Sequence, residues 1–328
     1  MDKRLSASAF EQAAGRLNIA ARPLDMARAV LVDGEAQSAV AKREGVSRNA
    51  VCLAVNRIWN AHSEVPAMAA RGGGKIGRQT MKTLVIANQK GGVGKTSTTV
   101  HLAYYFKEQG LKVAVIDLDT QGNASFTLGE YDSGALASGL FDAVSQFDLA
   151  NAEGIAVFSA DARLADLEKL DLGAAAGAFK RSLAVIEAEG FDVCLIDTPP
   201  SLGVRMAAAL LSADFAASPI ELEAYSLQGI EKMVTTIANI RRANPALQFL
   251  GMIPSKVDGR NPRHGQHLDE LTRAYPQLVI PTPIGNRSSV ADALASGLPV
   301  WSIKRTSARK AAQEMRAMAR HIQEKMEI

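Results

Sequence analysis

A chain of 328 residues with 47% hydrophobic and 22% charged residues has a globular composition and is long enough for more than one domain. No run approaches the roughly 20 apolar residues that cross a bilayer, no apolar segment follows Met1-Asp2-Lys3-Arg4 as in a secretory signal, and Cys52 and Cys194 are too few for a disulfide framework, so the cytoplasm is the expected compartment. The net charge of +3 is uneven: residues 1–80 hold 12 Lys/Arg against 7 Asp/Glu, residues 81–328 hold 25 against 27, and such a basic front end either meets an acidic polymer or is a solvated surface.

Residues 6–60 read as short helices without strand pattern. Within residues 37–57, Ala41, Gly45, Val46 and Val51 fall at the spacings of a helix-turn-helix. Ala41 lets two helices approach, Gly45 permits the tight turn, and Ser47 is a good N-cap for the second helix. Val40, Val46, Val51 and Val55 supply a buried side; Glu44 stands where an apolar residue is common. The second helix presents Arg48, Asn49, Asn56 and Arg57, and with Ser47 at its start these are the candidate contacts to operator DNA, arginine favouring guanine and asparagine adenine. A small helical bundle produces a similar pattern. The segments Lys3-Arg4-Leu5, Ala29–Gly34, Ser47–Val51 and Val55–Trp59 together resemble the KorA/TrfB-type plasmid repressors, which implies sequence-specific DNA binding by a small all-α domain at residues 1–62.

Residues 63–80 lack apolar periodicity and contain Pro66 and Gly72-Gly73-Gly74, the composition of a flexible linker. Met81 stands where the second module begins, so an internal start there would yield the body without the head. Across 81–328, apolar runs alternate with helix-length amphipathic segments. Strands are expected at Thr83–Ala87, Val113–Asp117, Ile155–Ser159, Val193–Asp197, Ala216–Ile220, Phe249–Ile253 and Leu278–Ile280. This alternation predicts an α/β fold with a mainly parallel sheet flanked by helices.

The strongest signal is Asn88-Gln89-Lys90-Gly91-Gly92-Val93-Gly94-Lys95-Thr96-Ser97, placed after a strand and before a helix pattern running to Gly110. Gly91 to Ser97 would curl their amides round phosphate oxygens at the positive end of that helix. Lys95 would reach the β- and γ-phosphates, and Thr96 would offer its hydroxyl to Mg2+. Two strands then end in acids. Asp119, in Val115–Asn123, is placed to orient or deprotonate water, with Asp117 in the metal shell. Asp197, before Thr198-Pro199-Pro200, resembles a Walker B acid, which implies a metal-binding role; an acid that ends a buried strand also serves as a helix cap or turn residue.

Gln89 occupies the position of the first glycine in the general phosphate-loop pattern, and Lys90 precedes the remaining glycines. At this point the chain resembles the deviant Walker A family, which includes partition ATPases, division-site ATPases and nitrogenase iron protein. The resemblance implies an ATP-dependent homodimer in which Lys90 crosses to the partner's nucleotide. Asp117–Asn123, Pro199–Gly203, Val257–Arg260 and Thr282–Arg287 resemble the ParA partition ATPases in particular, while Asn261–His264 departs from their pattern. That resemblance implies adenine contacts near Pro283, Mg2+-dependent ATP hydrolysis, nonspecific DNA binding on the nucleoid, and stimulation by a ParB-type centromere-binding protein. Cys52 in the head and Cys194 within a strand disfavour the cluster-bearing branch.

Residues 301–328 hold 7 Lys/Arg against 3 Asp/Glu, and Lys304, Arg305, Arg309 and Arg316 are the candidate backbone contacts to nonspecific DNA. Ser307–Met326 reads as an amphipathic helix without aromatics, better suited to packing on the sheet than to a membrane. The reading that results is a plasmid partition ATPase with a repressor-like head. Its rivals are a nucleotide-sensing transcriptional regulator and a membrane-cycling positioning ATPase.

Overall fold

The computed structural model describes residues 5–14, 21–46, Val51, Ala54, Val55, Ile58, 80–142, Phe147, Leu149, 154–222 and 226–328. The chain divides into two compact units, Met1–Arg78 and Gln79–Ile328.

The described part of the first unit contains helices Ala7–Ala14, Ala21–Leu31 and Gln37–Glu44. They close on a core of Phe10, Met26, Leu31, Val40, Val51, Val55 and Ile58. Three of the four expected valines are fully covered, and Val46 packs against the cluster from its edge. Gly45 ends the third helix at φ 64, a left-handed conformation that costs a side-chain-bearing residue strain. Its N–H donates to Ala41. Ser47, Arg48, Asn49, Asn56 and Arg57 lie outside the described residues.

Among its described residues the second unit holds seven strands: β1 Lys82–Ile86, β2 Val113–Asp117, β3 Asp132–Leu136, β4 Ile155–Ser159, β5 Val193–Asp197, β6 Phe215–Glu221 and β7 Gln248–Ser255. They form one parallel sheet in the order β3-β4-β2-β5-β1-β6-β7. β1, β2 and β5 are apolar because both faces are covered. On one face lie the helices Lys95–Glu108 and Ala308–Met326; on the other lie Leu172–Ala188 and Val204–Ser212.

Two strand expectations are corrected. β3 is additional to the expected set: it is an edge strand of sequence Asp-Ser-Gly-Ala-Leu, alternately exposed and half-covered, with no apolar run to mark it. Leu278–Ile280 is not a strand. Val279 makes one isolated parallel bridge to Met252 beyond the sheet edge, and a single bridge leaves the segment without a ladder.

The last helix turns Met315, Met318, Ala319, Ile322 and Met326 onto the sheet. Its acid Glu314 is a structural tie. Oε2 accepts from Gly285 N and Arg287 Nε, and Oε1 accepts from Arg287 Nη2. No helix among the described residues is long and apolar enough to cross a membrane.

Candidate functional site

The carboxyl ends of β1, β2 and β5 open onto one cavity of about 510 Å3. Loops at these strand ends are where open parallel sheets collect ligands. The cavity is lined by Gly91, Gly92, Gly94, Lys95, Thr96, Ser97 and Asp119, with Pro200, Ser255 and Lys256 facing them. Farther along, Phe126, Ile284, Val290, Leu294 and Met315 make an apolar chamber.

The loop is fastened at both ends. Asn88 Nδ2 donates to Pro219 O at 2.7 Å, and Asn88 Oδ1 accepts from Lys90 N at 2.8 Å. Gly94 closes the loop at φ 98, and a Cβ there would stand 2.9 Å from Ser255 Oγ. Both the backbone angle and the close approach of β7 therefore require glycine. The helix that begins at Lys95 then aims its free amides at the cavity.

Lys95 is almost fully covered, and its Nζ donates to Lys90 O at 3.1 Å. Burial lowers its pKa, opposed by the charges of Asp197 and Asp119. Thr96 Oγ1 donates to Asp197 Oδ2 at 2.6 Å. The other oxygen, Asp197 Oδ1, is buried and has no hydrogen-bond partner. Burial, then the charge of Asp117, pushes the Asp197 carboxyl up to about 8. Ser97 Oγ is also buried without a partner. An orphaned carboxylate oxygen next to a threonine hydroxyl, beside a ring of amides, fits a hydrated divalent cation carried on phosphates. Among the described residues no cluster of three or more His, Cys, Asp or Glu side chains forms a self-sufficient metal site. Any Mg2+ here would therefore draw ligands from phosphate and water as well.

Asp119 lies half-buried on the cavity wall. Its Oδ1 accepts from Gln121 N at 3.1 Å. Asp117, which was expected in the metal shell, is placed differently. It is fully buried, and its carboxylate accepts from Asp119 N, Ser125 N and Ser125 Oγ. These three donors tie it to the turn that carries Asp119. That turn is braced from below, because buried Arg205 donates to Leu118 O at 2.8 Å and to Glu168 Oε1 at 2.8 Å.

The remaining predicted residues are dispersed. Pro283 is not part of the cavity wall; its successors Ile284, Gly285, Asn286 and Arg287 are. Lys90 pairs through Nζ with Glu221 at 2.7 Å, outside the cavity lining. Lys304, Arg305 and Arg309 are exposed, Arg305 pairing with Asp292. Arg316 differs from these in its surroundings: its guanidinium pairs with Glu108 at 2.7 Å and lies 4.4 Å from the Trp301 ring centre. Sequence reasoning missed Ser255, Lys256 and Glu221, which reach the loop from β6 and β7. A lysine immediately after an apolar strand was the one available sign.

Comparison with known proteins agrees with this geometry. Residues 81–249 match the family described as AAA domain, and residues 5–71 match that described as TrfB plasmid transcriptional repressor. The chain is similar to Protein IncC of Escherichia coli, 59% identical over 77% of this chain and 72% of that protein. It is similar to the chromosome-partitioning ATPase Soj of Thermus thermophilus, 32% identical over 67% of this chain and 87% of that protein. Among solved structures, cobyrinic acid a,c-diamide synthase of Mycobacterium smegmatis with bound ADP and magnesium is 31% identical, with a TM-score of 0.55 over 69% of this chain and 97% of the other.

Proposed function

This chain belongs to the ParA-type plasmid partition ATPases and carries a KorA/TrfB-like region at its front, and we propose that it hydrolyses ATP with Mg2+ in order to cycle on and off DNA. The observation that carries the proposal is the phosphate loop with Thr96 hydrogen-bonded to Asp197, whose second oxygen is an orphan.

Loop amides and Lys95 bind the β- and γ-phosphates. Thr96 and Asp197 would hold Mg2+ beside the phosphates. Mg2+ supplies charge neutralisation on the phosphate oxygens. Asp119 orients the attacking water and accepts its proton. The apolar chamber beside Ile284 and Met315 takes the adenine. By family, Lys90 serves the partner's nucleotide in an ATP-closed homodimer. That dimer binds DNA without sequence preference, using Lys304, Arg305 and Arg309. A ParB-type protein stimulates turnover and release.

Residues 1–62 form the head and bind an operator through Ser47, Arg48, Asn49, Asn56 and Arg57, which allows the chain to repress its own operon. Residues 63–80 link it to the ATPase at 81–328. Binding of the purified chain to random and self-promoter DNA, under ATP, ADP and no nucleotide and across salt concentrations, tests both halves. Random DNA is bound with ATP and released with ADP. Promoter DNA is bound in every state, and Arg48→Ala abolishes that specificity. Binding to random DNA that ignores nucleotide contradicts the cycle. Nucleotide effects confined to the promoter identify a nucleotide-sensing regulator instead.

A further inference from the structure

One carboxylate holds two lysines at the rim of the phosphate loop. Glu221 ends β6; its Oε2 lies 2.7 Å from Lys90 Nζ and its Oε1 lies 3.1 Å from Lys256 Nζ. The Glu221 side chain is 15% exposed, whereas those of Lys90 and Lys256 are 50% and 46% exposed. Burial pushes the Glu221 carboxyl up, but the hydrogen bonds from Lys90 and Lys256 outweigh it and hold the group below the ordinary range. The carboxylate is thus an ionised, shared counterion.

The backbone sets the direction of Lys256. It follows β7 with φ 56, a left-handed conformation that is strained for a side-chain-bearing residue. Its neighbours pin it there: Ile284 N donates to Pro254 O at 2.7 Å, and Val257 N donates to Ile284 O at 2.9 Å. The resulting trajectory returns the side chain across the loop. Its Nζ lies 3.8 Å from the point where a Cβ on Gly92 would stand, and Lys256 lines the same cavity as Lys95 and Asp119. Strain of this kind persists where surrounding structure over-determines it and collects at ligand sites.

We propose that Lys256 is a further polyphosphate-binding residue of this site, held on Glu221 in the nucleotide-free protein and transferred to the phosphates of a nucleoside di- or triphosphate, with Glu221 acting as the competing anion. The inference rests on the nucleotide reading of the phosphate loop. Its chemistry is charge competition. A half-exposed lysine–carboxylate pair is weak and easily broken, whereas a polyphosphate held by backbone amides presents several oxygens and more negative charge to the same ammonium. After the exchange, Glu221 keeps its pair with Lys90.

The test is equilibrium binding of fluorescent ATP, ADP and AMP, with Mg2+, to the full chain and its variants. Lys256→Ala weakens ATP and ADP by about tenfold and leaves AMP unchanged, while Lys256→Arg retains most of the affinity. Glu221→Gln acts in the opposite direction and tightens ATP several-fold, because the competing anion is gone. Thermal melts verify that each variant is folded; both positions are at the rim, and Lys256→Met repeats the measurement if Lys256→Ala melts early. Unchanged ATP affinity in the folded Lys256 variants, or weakened affinity in Glu221→Gln, overturns the proposal. Lys95→Ala separates the two claims: if it fails to abolish binding, the loop reading itself is wrong.

Discussion

Thr96 and Asp197 are 101 positions apart in the chain, yet the Thr96 hydroxyl donates to Asp197 Oδ2 at 2.6 Å. The bond ties the first turn after the phosphate loop to the end of β5. It also leaves Asp197 Oδ1 buried and unpaired, so the hydrogen bonding of this carboxyl group is incomplete.

That incompleteness has a pH signature. Burial and the neighbouring charge of Asp117 push Asp197 up to about 8, and a cation needs the ionised form. Affinity for Mg2+ with nucleotide therefore rises with pH, by up to about tenfold per unit, and levels above about 8. Because the folded value exceeds the unfolded one, the same group stabilises the empty fold at low pH and loses that contribution as pH rises towards 8. Calorimetry in buffers of different ionisation enthalpy checks the first point through proton release at pH 7. Asp197→Asn abolishes that release and flattens the melting profile.

Turnover and binding separate at Asp119. Asp119→Ala lowers kcat by about 10²–10⁴-fold while ATP affinity stays within a few-fold, as the proposed action of the side chain on water, and not on the loop, requires. Arg205 supports the same turn through Leu118 O. Arg205→Ala lowers kcat by about tenfold through misplacement of Asp119, with little change in ATP affinity. Single-turnover rates measured alongside nucleotide binding distinguish these outcomes, and equal losses in both quantities contradict the assignment.

His101 is a stability element keyed to acid. It is fully buried in the helix after the loop; its Nδ1 donates to Ser97 O at 2.7 Å and its Nε2 accepts from Val300 N at 3.2 Å. Burial depresses it to about 4 from 6.5. With the folded value depressed, its contribution is complete above pH 6.5 and is lost as pH falls towards 4, about 3 kcal/mol in all. Denaturant melts from pH 7 to 4 show a shallower decline in His101→Gln. Parallel declines in both proteins exclude this role.

Arg316 and Arg309 share a helix but differ in surroundings, Arg316 being paired with Glu108 and stacked on Trp301 and Arg309 exposed. Arg316→Ala costs about 1 kcal/mol, because its ion pair and its stacking on Trp301 are only partly covered, and it leaves DNA binding unchanged. Arg309→Ala leaves stability unchanged and reduces the salt slope of nonspecific DNA binding by about 1. The two slopes, measured with ATP present, decide the matter; a reduced slope in Arg316→Ala restores it to the DNA face.

The sequence by itself determined whatever depends on neighbours along the chain. Strands buried on both faces must be apolar throughout, so β1, β2 and β5 stood out as runs, and the glycines and lysine of the phosphate loop lie contiguous between a strand and a helix. Only the tertiary structure decided what depends on strand order and register. β3 needs partners on one side alone and carries no apolar run, so nothing in Asp132–Leu136 announces it. Asp117 and Asp119 look equivalent as acids at one strand end, but only packing against Ser125 removes Asp117 from the cavity. Arg316 and Arg309 look equivalent as cations, but only Glu108 and Trp301 separate them. Lys90, Glu221 and Lys256 converge because β1, β6 and β7 lie side by side, and local pattern contains no information about which distant strands will adjoin.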